Sequence, residues 1–352
     1  MPKWRQPIRV FFLLLGLLLF SNIVAPPAAE ALLIGTKQEI EIGKGVANDL
    51  EKKYGLVNDP ALQARVARLG ASIVAVSDRK DLPYTFKVLN SKEVNALAVP
   101  GGYIYLFKGL IDYMPSDNEL AGIIGHEVGH IVKKHTVVQI ERSLAVGVLF
   151  AILFGNSNSA IIGDLIANAL MSGYSREAER EADKLGVVHT MRAGYNPYSM
   201  LIGMEKLEAM SGKSDYGLFS SHPDTVSRVK AVREQIINEF QVRPTVKEME
   251  KSSQVVDGNW TLPAFHVKYA GYSPRMRAYL TAGRIYRMTS LPDYSSDKLY
   301  INDMENATGV YYDDVREPVA VVTAQDATAN GLAGMNEMAQ LIITRIRERA
   351  GR

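Results

Sequence analysis

The chain has 352 residues, 47% hydrophobic and 22% charged, the balance of a globular protein able to bury a core. Its 40 basic and 38 acidic residues nearly cancel, which gives no electrostatic reason to expect nucleic acid as a partner. With no cysteine, disulfides and thiolate ligands are excluded, and any transition-metal site must be built from histidine and carboxylate.

The first 31 residues read as a secretory leader. Lys3, Arg5 and Arg9 precede an apolar run, VFFLLLGLLLF (10–20), followed by Pro26, Pro27 and the small-residue pattern Ala29-Glu30-Ala31. As a helix that run would reach about 16 Å, short of a bilayer's roughly 30 Å hydrocarbon core, so cleavage after Ala31 is expected rather than anchoring. The mature chain would carry 37 charges of each sign. It would be exported: periplasmic in a Gram-negative host, otherwise extracellular or at the cell surface.

Residues 37–55 and 60–77 carry helical spacing, with Ile40, Val46 and Leu50, then Leu62, Val66, Leu69 and Ile73. PYTFKVLN (83–90), ALAV (96–99) and YIYLF (103–107) read as short strands, the last two joined by Pro100-Gly101-Gly102. Ser116 followed by Glu119 signals a capping box at the start of a helix whose apolar positions run from Leu120 to Val132. Two apolar runs, 144–154 and 160–171, flank GNSNS; each is too short to span a bilayer. They predict a buried helical hairpin or, as the sharper reading, one that touches a membrane surface or covers substrate. Helices are expected over 175–192, 197–211 and near 225–240. Beyond Pro244 the texture changes: 245–260 is polar, and 261–323 is tyrosine-rich with strand-like AFHVKY, RAYLTA, KLYI and VAVVTA. The chain closes with an amphipathic helix striped by Leu332, Met335, Ala339, Ile342, Ile343 and Ile346.

The stretch HEVGH (126–130) lies in the capped helix. On a helix His126 and His130 fall about 40° apart on one face, one turn above the other, where one Zn²⁺ can accept both imidazoles at about 2.0–2.1 Å. Glu127 can then serve as general base toward a water. A third ligand is still needed. The HExxHxxGxxH pattern is excluded by Lys133 and Thr136. Nine residues from His126, His135 falls on the opposite helix face and is expected to face solvent. Downstream, YSREAEREADKLG (174–186) places Glu179 and Asp183 at i,i+4 on one face. One carboxylate could bind metal while the other holds a ligand imidazole by hydrogen bond, although the same charges would also suit a solvated, salt-bridged face.

HEVGH with YSREAEREAD, preceded by NALAVPGGYIYLFKGLI and followed by SSHPDTVSR, resembles the HtpX/BepA-like gluzincin metallopeptidases, a family that also holds the CaaX prenyl endopeptidases. The resemblance spans about residues 35–240. It implies one Zn²⁺ per chain held by His126, His130 and Glu179, with Asp183 as the outer partner and Glu127 catalytic; among Glu177, Glu179 and Glu181 only Glu179 has an aspartate four residues on. It also implies that Asn95 to Tyr105 supplies an edge strand along which peptide substrate lies, with Asn95 and Ala96 as contacts. His222, just before a proline and so on an extended or turn segment, is read as a fourth ligand or gate, and Arg228 as a substrate contact or a brace for that loop. His189 and His266 are read as structural.

The expected fold is α+β: a leader (1–31), a mainly helical metallopeptidase domain with a small antiparallel sheet (32–243), and a small C-terminal α+β domain of unknown role (244–352). The expected function is a zinc endopeptidase acting on polypeptides. Its rivals are a chaperone-like binding factor with a latent, His-gated zinc site, and a protease acting on lipidated or membrane substrates.

Overall fold

A computed structural model describes residues 32–143, 172–210, 222 and 225–350. The expected leader and the apolar hairpin at 144–171 lie outside them, as does all of SSHP except His222.

Helix α1 (Thr36–Tyr54) and helix α2 (Pro60–Ala75) come first. Asp59 starts α2 by accepting the Leu62 N–H at 3.0 Å, and Pro60 occupies a first-turn position where no N–H is needed. Strands β1 (Thr85–Leu89), β2 (Ala96–Val99) and β3 (Tyr103–Phe107) form one sheet in the order β1-β3-β2. The expected antiparallel sheet is instead mixed: β2 and β3 form an antiparallel hairpin, but β1 pairs with the far side of β3 and runs parallel to it. YIYLF is therefore the central strand, and the edge narrows to β2.

The two faces of this sheet bury different residues. Ala96, Ala98, Ile104 and Leu106 pack toward α2 and the helix that follows, while Leu97, Val99, Tyr105 and Phe107 pack with α1 residues Val46 and Leu50. Burial on both sides is why the strands read as unbroken apolar runs. The turn between them needs glycine, since Gly101 has φ 77° and Gly102 φ 93°. Helix α1 crosses that turn so closely that a Cβ on Gly43 would sit 1.9 Å from the Pro100 carbonyl oxygen.

Helix α3 (Lys108–Tyr113) leads to helix α4 (Asp117–Val132), which carries HEVGH. Ser116 and Glu119 close the expected capping box. Every residue of α4 from Glu119 to Ile131 is buried, because it runs between the sheet side and helices α6 (Arg176–Arg192) and α7 (Ser199–Glu208). Its end is held by Arg79, which donates to the Ile131 carbonyl at 2.9 Å and pairs with the buried Glu39 at 2.6 Å. Helix α5 (His135–Ser143) follows, and helix α8 (Thr225–Glu234) continues into a π-helical turn over Gln235–Glu239.

The C-terminal region holds two antiparallel sheets: β4 (Thr245–Glu248), β5 (Ser253–Asp257) and β6 (Trp260–Thr261), then β7 (Leu299–Asp303), β8 (Thr308–Tyr312) and β9 (Ala320–Val322). Helix α9 (Pro274–Thr289) lies between them, and α10 (Ala324–Ala329) and α11 (Met335–Ala350) follow. RAYLTA, expected as strand, is the middle of α9. Ser273 caps it through the Met276 N–H, Pro274 opens it, and the cap chemistry outweighs the strand preference of Tyr279 and Thr281. AFHVKY contributes only isolated bridges at Phe265 and Tyr269. One continuous core joins Val187, Tyr198, Leu201, Val229 and Val232 of α6–α8 to Trp260, Phe265, Tyr279, Val310 and Ile342 of the C-terminal region. No helix among the described residues is long and apolar enough to cross a membrane.

Candidate metal centre

Glycine determines how closely the two site-bearing helices approach. A Cβ on Gly125 would lie 3.0 Å from the Gly186 carbonyl oxygen, one on Gly129 3.0 Å from that of Ala182, and one on Gly186 3.1 Å from the His126 nitrogen. With backbones this near, the acidic face of α6 lies directly against the histidine face of α4.

His126 and His130 turn their Nε2 atoms toward each other at 3.0 Å. Glu179 brings Oε1 to 3.5 Å from His130 Nε2 and Oε2 to 3.7 Å from His126 Nε2. His222 brings Nδ1 to 2.8 Å from Glu179 Oε1 and 3.2 Å from His126 Nε2. Four ligand atoms, one per residue, thus lie within 4.8 Å of one another, all on buried side chains. Three ring nitrogens and a carboxylate oxygen, with no thiolate, form a donor set that suits Zn²⁺. Burial pushes the His130 imidazole well below its usual pKa, leaving it neutral. Burial opposes ionisation of Glu179, yet the imidazoles of His222, His130 and His126 hold its carboxyl far below the usual range. Neutral imidazole, as at His130, and ionised carboxylate, as at Glu179, are the states in which such groups bind a cation. At His222 burial opposes charge, yet Glu179 and Glu127 raise the imidazole above its usual pKa.

Around this cluster stands a charged brace. Asp183 Oδ1 lies 3.0 Å from His126 Nδ1. Arg228 grips Asp183 with two contacts of 2.7 and 2.6 Å, reaches Glu179 Oε2 at 2.6 Å, and donates to the His222 carbonyl at 3.2 Å. Although Asp183 is buried, Arg228 and His126 keep its carboxyl below the usual range. Arg228 itself is buried, with only 5% of the residue exposed. Glu127 is fully buried, its Oε1 3.5 Å from His222 Nε2, and neither of its oxygens hydrogen-bonds to a described residue.

Asn95 and Ala96 lie outside the four-residue cluster, buried at the start of edge strand β2. The Asn95 side chain accepts its neighbour's N–H, and its carbonyl accepts from Phe107. His135 departs from expectation. Lys134 takes φ 57°, the helical register of α4 stops, and His135 turns back beneath His130, buried rather than solvent-facing. The ring of Tyr174 stacks on His130 at 3.9 Å and 23°. Only its place at the head of YSREAEREAD could have drawn attention to it. His189 is buried with Nδ1 3.3 Å from the Gly125 carbonyl, as suits a structural residue.

A helix bearing HExxH, crossed by one bearing ExxxD, defines a metallopeptidase. A model of peptidase family M48 matches residues 60–236, half of the chain, and the chain belongs to that family, as its motifs led one to expect. The metalloproteases of this family use zinc. A second model, for a domain of unknown function (DUF8459), matches residues 254–351. The beta-barrel assembly-enhancing protease of Escherichia coli K12 is 29% identical over 62% of this chain and 47% of its own length. Metalloprotease YcaL of the same organism is 28% identical over 56% of this chain and 76% of its own. The mitochondrial metalloendopeptidase OMA1 of Arabidopsis thaliana is 29% identical over 56% and 41%. The chain thus spans about half the length of the assembly-enhancing protease it matches.

Proposed function

We propose that the chain is a zinc-dependent endopeptidase of the cell envelope that degrades or processes misfolded or unassembled exported proteins. One zinc would be held by His126, His130 and Glu179. The observation that carries this reading is the buried Glu127 carboxylate, without a hydrogen bond among the described residues, beside four convergent ligand atoms. When bound, zinc would polarise the scissile carbonyl and acidify a water. Glu127 takes the proton of that water on a carboxylate oxygen and passes it to the leaving amine. Asp183, with Oδ1 3.0 Å from His126 Nδ1, would favour the tautomer whose Nε2 faces the cluster, and Arg228 holds Asp183 and Glu179 together. Strand β2, with Asn95 and Ala96, offers the sheet edge along which a substrate backbone would pair, tolerating many sequences. The name of the assembly-enhancing relative supports an envelope role, and contact with a membrane surface would fall to residues 144–171.

His222 favours a gated form of the same enzyme. Its Nδ1 faces Glu179 and His126 while its Nε2 faces Glu127, so the ring stands on the side of the cluster that Glu127 would serve. Casein cleavage by purified wild type and His222→Ala, each with and without a chelator, tests both points. Cleavage that chelation stops and zinc restores is expected, with a gain in His222→Ala. Cleavage unaffected by chelation would overturn the zinc reading, and a loss in His222→Ala would overturn the gate.

A further inference from the structure

His130 has two ring nitrogens, and only Nε2 faces the cluster. Its other nitrogen, Nδ1, lies 3.1 Å from Nδ1 of His135, whose own Nε2 lies 3.1 Å from Glu181 Oε2. The left-handed Lys134 makes this possible, since a continued helix would carry position 135 away from His130. A lone pair on His130 Nε2 requires the proton on Nδ1, which donates to His135 Nδ1. His135 must then carry its proton on Nε2, which donates to Glu181. Each tautomer fixes the next, and the chain of hydrogen bonds runs one way, from the cluster to a carboxylate on α6.

We propose that His135 is a positioning residue that fixes the tautomer and ring plane of His130, with Glu181 as its anchor. It stands to His130 Nδ1 as Asp183, 3.0 Å away, stands to His126 Nδ1, but with a neutral imidazole in place of a carboxylate. A mere surface ion pair with Glu181 would not bury the ring: His135 is 9% exposed, whereas the Glu181 side chain is 45% exposed and also lies 3.8 Å from Lys133. The inference rests on the reading of His126, His130 and Glu179 as metal ligands.

The test is zinc affinity, measured by competition with a chromophoric chelator, together with the melting temperature of the metal-free protein. His135→Leu fills the space without an acceptor, and His135→Asn places an amide oxygen near the former Nδ1. Leucine is expected to weaken zinc binding by about 10–100-fold, the usual cost of losing an outer partner. Asparagine is expected to recover most of that loss while the metal-free protein melts near the wild-type temperature. Wild-type affinity in His135→Leu, or an asparagine variant no better than the leucine one, would overturn the proposal and leave His135 as packing. Wild type that binds zinc no better than a His130→Ala control would overturn the ligand assignment and the proposal together.

Discussion

Glu127→Gln is expected to retain zinc and lose turnover. Glutamine keeps the volume and removes a carboxylate placed to accept a proton from the attacking water. General-base catalysis contributes about 10²–10⁴-fold, or roughly 3–5 kcal/mol at the barrier. The metal should stay, because the convergent donors belong to His126, His130, Glu179 and His222. Stability of the metal-free protein should rise, since a buried carboxylate without a hydrogen bond among described residues carries a desolvation cost that an amide reduces. Peptide cleavage, metal content and melting temperature measured on one preparation check all three. Wild-type cleavage by a Glu127→Gln preparation whose metal-free control is inert would remove Glu127 from the chemistry.

Glu179→Ala is expected to cost the metal itself. The carboxylate faces three imidazoles and is paired at 2.6 Å with Arg228, so its removal strips a ligand and one of the two carboxylates that the buried guanidinium contacts. Zinc affinity should fall by more than the about 10–100-fold that an outer partner costs, and Asp183→Asn should show that smaller loss. Breaking a buried ion pair adds a stability cost of about 3–5 kcal/mol. Glu179→Gln separates the effects, keeping the shape while losing the charge. In the metal-free protein the depressed pKa values of Glu179 and Asp183 contribute stability that is present above the carboxylates' unfolded pKa values. That contribution disappears as pH falls through the folded ones. Competition with a chelator and melting between pH 7 and the acid range check these points. A Glu179→Ala protein that binds zinc like wild type would move the third ligand elsewhere.

Much of the centre was legible because its determinants are local. The Ser116–Glu119 box and the four-residue spacing of His126 and His130 are properties of one helix, as is the spacing of Glu179 and Asp183. That the two helices meet was carried by family resemblance; the physical reason, glycine against glycine at 125 and 186, reads in sequence only as small residues. His135 was misplaced because helical counting assumes the helix continues, and nothing in the side chain of Lys134 announces a positive φ. The same limit governs the C-terminal third. Short strands such as Thr245–Glu248 are polar on exposed faces and lack an apolar rhythm, while α9 hides its helical nature behind residues such as Tyr279, which its neighbours bury. Mixed pairing in the first sheet is a matter of which neighbour β3 accepts, a long-range choice that composition does not encode.

The core running from α6–α8 into the C-terminal third has a consequence for the metal centre. Arg228 stands on α8, and Val229 and Val232 of the same helix are packed among residues from a region that matches a different family. The ground under the brace of the metal centre is thus supplied in part by residues beyond the stretch that matches the peptidase family. Loosening the C-terminal side of that core is therefore expected to disturb the arginine before it touches any ligand.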